Sequence, residues 1–106
     1  MMCYLWISVY KEDKEAFDIW NKHIAVPESK IVKLGREDNF WGPVSVEGGP
    51  CGPCSEIHYN RADEKEFKNI IVALDSPQFV EIWNLVFIQF NQTKNGLVEV
   101  PAKHVD

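Results

Sequence analysis

Apolar and polar positions alternate from Tyr4 to Tyr10, with Leu5, Ile7 and Val9 on one side and Trp6, Ser8 and Tyr10 on the other. A period of two in β-favouring residues predicts a strand. Acidic Glu12 and Asp13 suit a helix N-terminus. Ala16, Trp20 and Ile24 follow at i, i+4 and i+8, with Phe17 beside them, so a short amphipathic helix packed on a sheet is expected. Ile31, Val32 and Leu34 suggest a short buried strand before Gly35, and 38–43 reads as a loop holding Phe40 and Trp41.

The stretch from Gly48 to Cys54 is nearly all Gly, Pro and Cys, which predicts a tight, stiff turn. The turn feeds a strand in which Ser55, Ile57 and Tyr59 point one way and Glu56, His58 and Asn60 the other. A charged surface connection is expected from Arg61 to Lys68, a short strand from Ile70 to Leu74, and a turn at Asp75-Ser76-Pro77. Phe79 to Asn91 is the longest strand pattern, apolar on both faces, and so expected to be central in a covered sheet. On that reading Asn84 is a buried amide that needs a partner, from nearby backbone or from a ligand. Lys94-Asn95-Gly96 marks a hairpin, and Leu97, Val98 and Val100 a return strand interrupted by Pro101. The fold class expected is α+β, an antiparallel sheet with few flanking helices.

The chain has 106 residues, enough for one modest core, and its 45% hydrophobic and 25% charged content is that of a globular chain. A net charge of −5 argues against a general polyanion-binding surface. No run approaches the roughly 18 apolar residues of a membrane helix, and Met1-Met2-Cys3-Tyr4 lacks the layout of a secretory signal. Three cysteines, an odd number, suggest free thiols in a reducing compartment, so a cytoplasmic location is expected.

Cys51-Gly52-Pro53-Cys54 matches the thiol–disulfide oxidoreductase tetrapeptide. That chemistry needs a thiolate at a helix start, whereas Ser55 to Asn60 reads as a strand. A zinc site would need Cys51, Cys54, His58 and one of Cys3, His23 or His104, at no telling spacing, so no metal is expected here. The alternative is that both thiols pack in a turn that shapes a pocket.

Three ordered blocks carry a resemblance: Asp38-Asn39-Phe40-Trp41, Gly49-Pro50-Cys51-Gly52-Pro53-Cys54-Ser55-Glu56-Ile57, and Glu81-Ile82-Trp83-Asn84-Leu85-Val86-Phe87-Ile88-Gln89-Phe90-Asn91. Together they resemble the catalytic domain of alanyl-tRNA synthetases. The flanking 5–10, 16–20 and 101–106 segments are similar too. The resemblance implies a class II synthetase core that joins alanine to ATP as alanyl-adenylate and passes alanine to tRNA(Ala), with ATP and Mg²⁺ as cofactors. Trp41 looks like the family's wall on the alanine side, Asn84 like its amide contact, Val86 like a neighbour on the same face, and Asp106 like the carboxylate for the α-ammonium. Glu81 with Asn84 resembles a Glu-x-x-polar pattern near ATP and Mg²⁺, although i and i+3 on a regular strand face opposite sides. Gly49, Pro50, Cys51, Gly52, Pro53 and Cys54 would shape the pocket.

The family's Arg-bearing second motif would lie upstream, and its Thr-Gly-Met-Gly motif downstream. Residues 1–106 are therefore expected to be one partial domain, inactive alone, whose strand edges the rest of the catalytic domain would cover. A non-catalytic amino-acid-binding paralogue is the alternative reading.

Overall fold

A computed structural model describes residues 4–43, 45, 47–61 and 67–105. The alternating N-terminal residues form β1 (Leu5–Tyr10). Asp13 caps α1 (Lys14–Asp18), its carboxylate accepting from the Ala16 N–H at 3.1 Å. The helix runs into one π turn, Ile19–His23. β2 (Ile31–Leu34) follows, then a one-turn α2 (Arg36–Asn39), β3 (Phe40–Trp41), β4 (Gly49–Asn60), α3 (Ile70–Leu74), β5 (Phe79–Thr93) and β6 (Gly96–Val105).

The sheet order is β2-β1-β4-β5-β6, with β3 alongside β4. All pairs are antiparallel except β1–β2, which is parallel. The architecture is thus α+β, a mixed sheet with few helices. One face carries Trp6, Val32, Leu34, Leu74 and Phe79, with Phe67 and Ile70 of the α3 region against them. The other carries Ile7, Val9, Ala16, Val26 and Ile31, with Phe17, Trp20 and Ile57. The predicted apolar stripe of the first helix divides: Ala16 is buried, while Ile24 is 52% exposed beyond the π turn.

Several expectations change. The stretch 38–43 is not all loop, since it holds the end of α2 and then β3, whose Phe40 and Trp41 pair with Pro53 and Gly52. The Gly/Pro/Cys stretch is not a turn but the first half of β4, paired with β5 from Gly49 onward. Its prolines are tolerated because β1 pairs only with 55–59 and β3 reaches only Gly52 and Pro53, so the missing N–H groups break little ladder. Ile70–Leu74 is a helix, because the Asn69 side chain accepts from the Ile71 and Val72 N–H groups and starts a turn. β5 lies between β4 and β6, but 80–84 is exposed, Asn84 included, so that amide is not the buried group its apolar neighbours suggested. The hairpin forms at Lys94-Asn95, and β6 continues past Pro101 as an outer strand.

Candidate functional site

The candidate residues converge through the register of β4. Trp41 pairs with Gly52, Val86 with Cys54, Asn84 with Glu56, and Glu81 with His58. Gly52, Cys54, Glu56 and His58 are alternate residues of one strand, so their partners line one face of the sheet. A bulge makes this possible: Ile57 pairs with Trp83 and His58 with Glu81, leaving Ile82 as an extra residue on β5. Glu81 and Asn84, three apart in sequence, thereby share a face that a straight strand would deny them. Asp106 lies outside the described residues.

Trp41 is half-buried, and its indole N–H donates to the Phe87 carbonyl at 2.7 Å, across Gly52. Gly52 is required here. A methyl on it would overlap the Phe87 carbonyl oxygen and stand 3.0 Å from the Gln89 nitrogen. The glycine therefore lets β4 approach β5 closely enough for the indole to bridge both strands.

Beside this row lies a polar group that the sequence patterns did not single out. Ser8 Oγ is 3.1 Å from His58 Nε2 and 3.4 Å from Glu56 Oε1, and it accepts from Asn39 Nδ2 at 3.0 Å. Asn39 Nδ2 also donates to the Cys54 carbonyl at 2.9 Å. His58 Nε2 is 3.4 Å from Glu56 Oε1, and Glu56 is hydrogen-bonded to Glu81 across the strands. That bond, then burial, then the Glu56 charge, push the Glu81 carboxyl up to about 7. Burial also raises Glu56, but bonds from His58, Glu81 and Ser8 bring it below the usual carboxylate range. The signal was the alternation itself, which puts Ser8 on the Trp6 face of β1 and Glu56 and His58 opposite these two on β4. The trio is not a nucleophilic triad: serine and carboxylate both meet the same ring nitrogen, and Ser8 is fully buried.

Cys51 and Cys54 are free and buried within β4. Burial raises both thiols, and the Glu56 and Glu81 charges add to it at Cys54, which reaches about 12. A redox pair needs the opposite shift, so the oxidoreductase reading fails on its central requirement. His58 is engaged with Ser8 and Glu56, and the described residues hold no group of three His, Cys, Asp or Glu placed to bind a metal ion.

A cavity of about 160 Å³ borders β3, lined by Tyr10, Phe40, Pro53, Gln89, Phe90 and Leu97, with Glu12 and Asp13 at its edge. Tyr10, Phe40 and Phe90 form a ring cluster there, with centroids 5.3 Å and 6.3 Å apart. No helix among the described residues is long and apolar enough to cross a membrane.

The family model of class II (A) tRNA synthetases matches residues 3–106. Alanine–tRNA ligase of Thermoanaerobacter sp. strain X514 is 49% identical over 94 residues, covering 87% of this chain and 10% of that protein. The Petrotoga mobilis ligase is 45% identical over 106 residues, covering 96% of this chain and 12% of its own length. That of Dehalococcoides mccartyi strain BAV1 is 50% identical over 105 residues, with the same two shares. The chain spans about a tenth of the length of the curated relatives it matches.

Proposed function

The chain belongs to the class II (A) tRNA synthetase family, and from that membership we propose that it supplies the alanine-binding side of an alanine–tRNA ligase catalytic domain. The observation that carries this reading is the register row: Trp41, Val86, Asn84 and Glu81 meet alternate residues of β4 on one face. Each brings what a small zwitterion needs. An indole fixed by its own hydrogen bond is a rigid wall for a methyl group. An exposed amide beside it has donor and acceptor capacity to orient the amino acid. Asp106, directly after β6 in sequence, would pair with the α-ammonium.

ATP and Mg²⁺ would act on the Glu81 side. Mg²⁺ is held through one or two carboxylates plus phosphate oxygens, and Glu81 is a carboxyl on the face shared with Asn84. When bound, the metal neutralises phosphate charge. This chain's residues orient alanine and hold the carboxyl in place. The cationic groups that grip phosphates would come from other parts of the ligase, as would the contacts to tRNA(Ala), and the 106 residues alone would not activate alanine.

The test is Asn84→Ala in a full-length ligase carrying this segment, measured by alanine-dependent ATP–pyrophosphate exchange. Losing the amide should raise the alanine KM by about tenfold or more, as one lost hydrogen bond to a charged group implies, and leave the ATP KM nearly unchanged. Equal effects on both would remove Asn84 from the amino-acid site.

A further inference from the structure

The polar group beside the row has a determinate hydrogen-bond pattern. The Cys54 carbonyl can only accept, so Asn39 must present Nδ2 there, and the same nitrogen then donates to Ser8. Ser8 keeps one hydrogen and one lone pair. Two groups stand beside it, Glu56 Oε1 and His58 Nε2. If Ser8 donated to His58, the lone pair of Nε2 would face the Glu56 carboxylate 3.4 Å away with no proton between them. If Ser8 donates to Glu56, His58 carries its proton on Nε2 and offers it to Ser8 and Glu56. Only the second arrangement gives each of these atoms a partner.

Glu56 is then the acceptor at which three strands meet: Ser8 of β1, His58 of β4, and Glu81 of β5, which the register places diagonally across from it on the same face. We infer that Glu56 is a positioning residue, a carboxylate that holds the Glu81 side chain against β4 and so keeps it beside Asn84. It touches no substrate and acts through Glu81. The inference rests on the row being the substrate face.

Two measurements test it. In the ¹⁵N-labelled chain, the His58 ring should carry a proton on Nε2, and Glu56→Ala should remove that preference and give a mixture of tautomers. A ring protonated on Nδ1 alone, or one indifferent to Glu56→Ala, overturns the arrangement. In the full-length ligase, the near-isosteric Glu56→Gln preserves packing while offering Glu81 a donor in place of an acceptor. It should raise the ATP KM about tenfold, the lower end of what losing a supporting partner costs, with the alanine KM changed much less. Glu56→Gln combined with Glu81→Gln should be no worse than Glu81→Gln alone. Additive losses would show that Glu56 does not act through Glu81, and would sink the positioning role by itself. Glu81→Gln with unchanged kinetics would instead remove Glu81 from the substrate face, and the inference with it, while leaving the Asn84 test standing.

Discussion

Replacing Gly52 by alanine tests the close approach of β4 and β5. The added methyl would meet the Phe87 carbonyl oxygen, with the Gln89 nitrogen at 3.0 Å. Both are backbone atoms, so no side chain can swing aside and the strands must part. Overpacking of this kind costs about 1–3 kcal/mol. Parting the strands also stretches the 2.7 Å bond from Trp41 to the same carbonyl, a further loss of about 1 kcal/mol. The sum, about 2–4 kcal/mol, is a large share of the 5–15 kcal/mol typical of a domain. With a urea m value of about 2 kcal/mol per molar, the midpoint should fall by about 1–2 M. The assay is urea unfolding followed by tryptophan fluorescence and by far-UV circular dichroism. Gly35→Ala is the control, since its methyl would have nothing within 4 Å, and it should cost less than about 1 kcal/mol. A Gly52→Ala midpoint within about 0.2 M of the parent would refute the claim that this glycine sets the strand spacing.

Trp41→Phe keeps a ring but leaves the Phe87 carbonyl without its indole donor, and should cost about 1 kcal/mol in the same unfolding assay; no change would mean that the bridge contributes nothing. With the Cys54 thiol at about 12, only about one molecule in ten thousand is thiolate at pH 8, and the site is also buried. Native Cys54 should therefore resist iodoacetamide until urea unfolds the chain, and rapid alkylation of the folded protein would contradict its placement. Lys103 reaches from β6 to Glu15 at 2.9 Å and to the buried Asp13 at 3.5 Å, over the Phe87 ring. Lys103→Met should cost about 1–3 kcal/mol by leaving the Asp13 carboxylate unpaired, whereas Glu15→Gln, at a mostly exposed partner, should cost under about 1 kcal/mol. Equal losses from the two would show that Asp13 is not the partner that matters.

Periodicity made β1, β2, β5 and the β5–β6 hairpin legible, because alternation and turn chemistry are local signals. It failed where local and long-range preferences compete. Gly49 to Cys54 has the composition of a turn, yet pairing with β5 holds it extended. Ile70 to Leu74 is too short for its period to separate strand from helix, and the Asn69 cap decided it. The bearing of Asn84 was read from its apolar neighbours, but no described layer covers that part of β5. The candidate site residues came from resemblance; Asn84 and Val86, two apart, were expected on one face, whereas Glu81 joins that face through a bulge with no mark in the residues around it. The contacts among Ser8, Glu56 and His58 were hidden for a related reason: a polar residue on a strand looks like a solvated one until its neighbours are known, and Asn39, the last residue of α2, was expected in a loop.

Ile82 has a consequence for how this segment can change over generations. Its side chain is 53% exposed, so its identity matters little. What it contributes is count, as the one residue of β5 that faces no partner between Glu81 and Trp83. Removing it would join Glu81 to Trp83 in a straight ladder and leave Glu81 and Asn84 side by side. Adding a second residue, if absorbed into the ladder, would turn one of them to the opposite face. The segment should thus accept a codon lost at this position and reject a codon gained there, the reverse of the usual expectation that shortening a strand is the more harmful change.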